Sequence, residues 1–409
     1  MRLLSLFSGC GGMDIGFEGG FTCLSKSINK NMHADWIEKE DETWTLLKKT
    51  GFETVFANDI RPDAKAAWVS YFSTRKKNAN DIYHLTSIVD LVKKERNGEK
   101  IFPENIDVIT GGFPCQDFSI AGKRQGFNSK KSHTGKILEN DEPTVENRGQ
   151  LYIWMREVIS LTKPKLFIAE NVKGLTNLSD VKKVIERDFA SAGDGGYLVV
   201  PAKVLHAADF GVPQSRERVI FFGFNKGYLR KDALNALMQQ KIPVEYDPYP
   251  QKTHGDGRSN IVTCSDAFVD LEEPQNTSDL SQKKYSKAKY MGAHCQGQTE
   301  VKLDSISPTI RSEHHGNIEY RRLSIEHGGK HKEELGRGLS ERRLTVRECA
   351  RIQTFPDDYQ FILKKTEYNK SVSASDAYKI IGNAVPCVLA YSIAKNLEEK
   401  WDKYFGKEK

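Results

Sequence analysis

Short apolar runs alternate with amphipathic stretches through the first 225 residues. The runs at 2–7, 54–57, 106–110, 165–169, 197–205 and 218–224 predict strands. Helical periodicity falls between them, as at 63–72, 150–161 and 180–190. This βαβα rhythm predicts an α/β fold, a doubly wound and mostly parallel sheet with helices on both faces. Two stretches break the rhythm. Residues 23–52 are polar and charged, with Trp36 and Trp44, and read as an insertion. Residues 123–147 are too long for an ordinary connection. From about 226 to 340 the sequence turns irregular and rich in Gly, Ser and His, which predicts a smaller, loop-rich domain. Regular patterning returns at 344–353 and 384–397, so residues 341–409 are expected to rejoin the 1–225 domain and complete it.

Composition narrows the class. Of 409 residues, 38% are hydrophobic and 28% charged, which fits a folded globular chain. No run approaches the roughly 20 apolar residues of a membrane span. The seven cysteines are widely spaced without a CxxC pair, which argues against a disulfide scaffold or a zinc ribbon and for a reducing compartment. The apolar stretch before Cys10 is shorter than the ~7–15 residues of a signal core, so it reads as a first strand and the expected location is cytoplasmic. A net charge of +6 permits a nucleic-acid partner without requiring one. The scattered histidines His294, His314, His315, His327 and His331, with Cys295, fit no standard four-ligand spacing, and no metal is expected.

Candidate chemistry clusters at the ends of predicted strands. Phe7-Ser8-Gly9-Cys10-Gly11-Gly12 lies where a strand meets a helix, a place where backbone N–H groups can receive a ligand. Asp14 stands where a dinucleotide fingerprint has its third glycine. Asp59 ends the second strand, positioned either to accept bonds from ribose hydroxyls or to cap the helix that Ile60-Arg61-Pro62 opens. The segment Gly111-Gly112-Phe113-Pro114-Cys115-Gln116 puts one cysteine on a polar loop, where a thiolate nucleophile can form. Glu170-Asn171 ends another strand, a place for a proton donor or for a capping pair. Gln214, Arg216 and Arg218 alternate, so on a strand they share one side.

Together these segments resemble, in order and along nearly the whole chain, the DNA cytosine-5 methyltransferases of bacterial restriction-modification systems. Arg148-Gly149-Gln150-Leu151-Tyr152, the run RRLTVRECARIQTFPDDYQF at 342–361 and Ile381-Gly382-Asn383-Ala384-Val385-Pro386 extend the resemblance. It implies a Rossmann-like, S-adenosylmethionine-dependent methyltransferase domain with a target-recognition domain at 226–340. It implies Cys115 as nucleophile, Glu170 as acid, and Arg216 and Arg218 as contacts to the base or the loop. Phe7, Ser8, Gly9, Gly11, Asp59, Ile60, Pro114, Asn383 and Val385 would meet S-adenosyl-L-methionine. Ser119, Lys123, Arg124, Gln214, Arg311, Arg321 and Arg322 are the candidates for contacting double-stranded DNA, with a base flipped into the pocket. The resemblance also implies a cognate restriction endonuclease as partner. Methylation of RNA, or a non-catalytic DNA-binding module, are the alternatives. The chain departs from the family in three places. Its second-strand acid is Asp59, where Glu is common. Tyr83-His84-Leu85-Thr86-Ser87-Ile88 lacks the acid usual for the adenine amine, and the insertion at 23–52 has no counterpart.

Overall fold

The structure, a computed structural model, describes residues 1–114, 151–177, 181–255, 261–312, 317–365 and 370–406. In chain order its strands begin with β1 (Arg2–Leu6), β2 (Thr22–Leu24), β3 (Ile37–Glu40), β4 (Trp44–Leu47), β5 (Glu53–Asp59) and β6 (Tyr83–Leu85). They continue with β7 (Val108–Gly111), β8 (Leu166–Val172), β9 (Tyr197–His206), β10 (Glu217–Asn225), β11 (Tyr320–Arg322) and β12 (Arg342–Arg343).

Seven of these form one sheet in the order β6-β5-β1-β7-β8-β10-β9. Pairing is parallel from β6 through β8, and β10 runs antiparallel to both of its neighbours. The expected doubly wound, mostly parallel sheet is therefore what forms. Its strands read as continuous apolar runs because both faces are covered. Leu3, Val108, Leu166 and Ile168 face one core, while Leu4, Ile109, Phe167 and Ala169 face the other. The first core is filled by the helices Gly12–Glu18, Pro62–Phe72, Ala374–Asn383 and Cys387–Phe405. The second is filled by Ile88–Arg96, Leu151–Thr162 and Val181–Ala190.

Local chemistry sets the helix ends. Pro62 opens its helix at a position where a missing N–H costs nothing. Thr345 and Ser373 each form a reciprocal capping box, with Glu348 and Asp376. Ala374–Phe405 has the length and apolarity of a membrane span, but 89% of that window is buried inside the fold, so its apolar faces belong to the core.

The insertion is folded. β2, β4 and β3 make an antiparallel sheet of their own. Trp36 from it packs edge-on against Tyr391 and donates to Glu399 at 3.2 Å, and the Tyr391 hydroxyl reaches the Lys48 carbonyl at 3.1 Å. The polar sequence thus hides a clasp on the C-terminal helix. The change of texture at 226 also precedes the change of packing. Tyr249 donates to the Ile220 carbonyl of β10, and Asn396 donates to the carbonyls of Asp247 and Pro248, so this stretch lies against the sheet and the last helix.

Gly16 lies at the crossing of Gly12–Glu18 with Cys387–Phe405, where an added Cβ would stand 2.4 Å from Ala390 Cβ and 2.5 Å from the Cys387 carbonyl oxygen. Gly16→Val is expected to cost on the order of 1–3 kcal/mol by overpacking. The effect should appear as a lower urea midpoint with an unchanged slope.

Candidate active site

The chain leaves β1 toward β5 and β6 on one side and returns to β7 and β8 on the other, so the order reverses between β1 and β7. Crevices at the carboxyl ends of strands beside such a reversal are where α/β sheets bind ligands. The loop after β1, Asp59 at the end of β5, the exit from β7 and Glu170 near the end of β8 all lie at this edge.

The loop after β1 is held from below. Asp14 is wholly buried and accepts bonds from Ser5 Oγ at 2.6 Å, Ser8 Oγ at 2.5 Å and Trp68 Nε1 at 2.7 Å. Burial pushes its carboxyl up, and those three donors pull it back. Asp59 reaches the loop from the side, accepting from the Gly9 N–H and the Arg61 N–H, each at 3.0 Å. It therefore braces the loop and closes the turn into Arg61, while the helix that Pro62 opens begins without a side-chain cap, so the expected capping role is not what Asp59 performs. Tyr83 donates to the Gly9 carbonyl at 2.8 Å. Above Gly9, which has a φ of +54°, a Cβ would meet nothing within 4 Å. The cradle is open on the side where a ligand would sit, with a half-buried carboxylate at its rim and Ile60 beside it, 45% exposed. The cradle can take a nucleoside-like ligand, since the carboxylate can accept from hydroxyls and the exposed apolar side chain can cover a flat ring. The C-terminal motif closes the floor. The Val385 carbonyl and Ala384 lie so near Gly12 that a Cβ there would be 2.3 Å from the former. Val385 is buried and Asn383 exposed.

Glu170 stands across the reversal. It is buried, at 7% exposure, and its Oε1 is 2.8 Å from Arg218 Nε. Its Oε2 lies 2.9 Å from where a Cβ on Gly112 would be, so the carboxylate occupies the space a side chain at 112 would need. Asn171 steadies the same exit by donating to the Phe113 carbonyl at 3.2 Å. Two residues beyond Gly112 is Pro114, half-buried. Cys115, Ser119, Lys123 and Arg124 lie outside the described residues. Among the described residues, Cys349 and Cys387 are buried in the core, and Cys10 is buried with its thiol toward the Ile380 carbonyl.

Several expected contacts have other duties. Gln214 is fully buried and bonded to Gln353 and Ile310, out of reach of a DNA groove. Arg216, 1% exposed, donates to the carbonyls of Ile310 at 3.2 Å and Gly382 at 2.9 Å. Burial and the charge of Arg218 push its guanidinium well down, against the pull of Glu170. Arg321 and Arg322 were expected to meet phosphate or guanine. They are instead buried in an ion-pair cluster: Arg321 with Glu334 at 2.6 Å, and Arg322 with Glu334 and with Glu273 at 3.1 Å. Glu273 continues to Arg342, and Arg342 to Glu348. Buried guanidinium groups need such partners, which leaves them no free face. Arg311 is partly exposed and paired with Glu319 at 3.1 Å. Among the described residues no group of three or more His, Cys, Asp or Glu could hold a metal ion. Sequence reasoning missed Asp14 and Gln353 as functional supports. Asp14 gave a signal, a carboxylate in an apolar first turn beside glycines.

Fold and site together define a doubly wound α/β protein with an open, braced loop after β1 at the edge where such sheets bind ligands. Among solved structures, the Dnmt2 methyltransferase of S. pombe matches with a TM-score of 0.53 at 19% identity, covering 97% of this chain and 98% of that one. The Entamoeba histolytica methyltransferase EhMeth matches at 0.52 and 15%, covering 98% of both. At such identities these matches establish the fold. The family profile described as C-5 cytosine-specific DNA methylase matches residues 44–399, and the chain belongs to that family. The Type II methyltransferase M.BsuRI of Bacillus subtilis is 33% identical over 403 residues, spanning 96% of this chain and 78% of that protein. M.NgoPII of Neisseria gonorrhoeae is 28% identical over 422 residues, spanning 98% and 97%. The chain is a DNA cytosine-5 methyltransferase, and RNA as substrate is not favoured.

Glu170→Gln keeps the volume and an oxygen for Arg218 but removes the ionisable carboxyl, so if Glu170 is the proton donor, as we propose below, kcat should fall about 10²–10⁴-fold with the melting temperature nearly unchanged. Gly112→Ala should mimic it by displacing the carboxylate. Burial pushes Glu273 and Glu334 up, but the neighbouring arginines more than reverse this, so both titrate below their ordinary value of 4.5. A carboxylate with a depressed folded pKa contributes its full stability above the unfolded value and loses it as pH falls through the folded one. The melting temperature should therefore hold above about pH 5 and drop below it, and Glu334→Gln should flatten that acid limb.

Proposed function

We propose that this enzyme takes its methyl group from S-adenosyl-L-methionine and places it on carbon 5 of a cytosine within a specific duplex sequence, by transient attachment of a flipped base to Cys115. The observation that carries the reading is the placement of Glu170. Its carboxylate is gripped by Arg218 on one oxygen and turned by the other toward Gly112, in the strand exit that leads to Pro114 and Cys115. A base lying between that exit and the loop after β1 would have an acid at its ring nitrogen 3 and the methyl donor beyond its carbon 5.

When bound, S-adenosylmethionine supplies an electrophilic methyl group. The open cradle at Gly9, the carboxylate of Asp59, the apolar face of Ile60, and Asn383 and Val385 are the groups that would hold it. Carbon 5 of cytosine is a poor nucleophile inside an aromatic ring. A bond from the Cys115 sulfur to carbon 6 breaks the aromaticity and leaves an enamine that can attack through carbon 5. Glu170 stabilises the charge that this addition creates, by hydrogen bonding or protonation at nitrogen 3. After transfer, a base removes the carbon 5 proton and the sulfur leaves with its electron pair, restoring the ring. Extruding the base from the duplex costs about a few kcal/mol, which contacts to DNA must offset. We assign those contacts to residues 226–340, with Arg311 as the described candidate whose side chain is still partly exposed.

The names of M.BsuRI and M.NgoPII as Type II methyltransferases support a protective role beside a restriction endonuclease. Purified protein should transfer labelled methyl groups from S-adenosylmethionine to duplex DNA. Bisulfite sequencing of DNA from an expressing host should place them in one motif. A duplex with 5-fluorocytosine in that motif should form a stable crosslink that Cys115→Ala abolishes. A crosslink that persists in the variant would overturn the mechanism.

A further inference from the structure

Two fully buried amides join the segment around Ile310 to the loop at 381–384. Gln214 and Gln353 are both 0% exposed. The Ile310 N–H donates to Gln214 Oε1 at 3.0 Å, and Gln214 Nε2 donates to Gln353 Oε1 at 2.9 Å. Gln353 Nε2 then donates to the carbonyls of Ile381 at 2.7 Å and Ala384 at 3.2 Å. The orientation is determined at both ends. An N–H at Ile310 demands an oxygen from Gln214, and carbonyls at 381 and 384 demand a nitrogen from Gln353, so neither amide can flip without breaking the chain. The same residue is gripped a second time, because the Ile310 carbonyl accepts from Arg216, whose other nitrogen holds the Gly382 carbonyl.

The two segments also touch directly. A Cβ on Gly382 would lie 2.3 Å from the Arg311 carbonyl group and 2.5 Å from the Ser312 nitrogen. One step from this joint toward the recognition side is Arg311. One step toward the cofactor side are Asn383 and Val385, the latter with its carbonyl oxygen against Gly12 of the first loop. A movement of either segment by an ångström leaves buried donors or acceptors without partners, which is costly where water cannot replace them.

We propose that Gln353, acting through Gln214, is a positioning residue that couples cofactor binding to DNA recognition. The relay holds residues 310–312 and 381–384 in one register, so a ligand that orders one segment orders the other. Neither side chain touches the reacting atoms. The proposal rests on the assignment above of 381–385 to the cofactor and 226–340 to DNA.

The test uses the full chain, S-adenosylhomocysteine as the cofactor probe, and a duplex carrying the motif found by sequencing. The wild-type protein should bind that duplex about tenfold or more tightly with the probe than without it, within the usual range of coupling. The reverse titration must give the same factor, since coupling is reciprocal. In Gln353→Met the factor should fall to about twofold or less, and likewise in Gln214→Met, which cuts the chain at its other bond and carries the test if the first variant fails to fold. The double variant should lose no more than either single one, because both interrupt a single path. A merely structural role would lower the melting temperature and leave the factor intact. That result, or additive losses, or a wild type that binds both ligands without coupling, overturns the relay. A wild type that does not bind S-adenosylhomocysteine at all overturns the cofactor assignment, and the relay with it.

Discussion

Leu6 pairs with Asn58 on one side and with Gly111 on the other, and Gly111 pairs in turn with Ala169. Three parallel strands, β5, β1 and β7, therefore stop within about a residue of one level, and β8 passes it to carry Glu170, so the loop of Phe7 to Gly12, Asp59, the exit from Gly111 and Glu170 gather there. A slip of one residue in any of these ladders would send side chains to the opposite face of the sheet. Because both faces are lined by apolar residues, the slip would not be punished by burial of charge alone. It is excluded by helices that fit each face closely, such as the one against which Gly16 packs without room for a methyl group.

Several polar groups buried near the edge each fix a backbone segment. Asp14 collects three donors from three places in the chain and sets the floor of the first loop. Asp59 braces the same loop by its N–H. Arg216 carries two carbonyls from segments far apart in sequence. The cluster of Arg321, Arg322 and Arg342 with Glu273, Glu334 and Glu348 does comparable work in the loop-rich lobe, where long periodic elements are scarce. Such networks are stable only when complete, which is why these arginines are not available to a phosphate.

Six of the seven strands of the central sheet were legible because they are short apolar runs with turn signals at both ends, their expected spans differing from the observed ones by up to three residues. The three-residue edge strand β6 was missed because Tyr83–Leu85 is too short to carry a pattern. Asp59 and Glu170 were legible because a carboxylate closing an apolar run is chemically conspicuous. Residues 23–52 were not, since their small sheet buries Trp36 against a helix more than 350 residues away in sequence, and no local pattern carries that information. Arg321 and Arg322 were misread for a related reason. In sequence a pair of arginines looks like a phosphate grip, and only the fold supplies the glutamates that neutralise them. Gln353 gave no sign at all, because an amide in a helix end becomes informative only when its partners are known.

The first helix of the chain crosses the last one, and Gly12 rests on the backbone of Val385. The loop after β1, though written in the first sixty residues, has no floor until the helix Cys387–Phe405 and the residues before it have docked. Contacts of such long sequence separation form late, after the loops they close have lost their freedom. A chain cut before residue 385 would lack the backbone that packs against Gly12, and the first loop would lose that support.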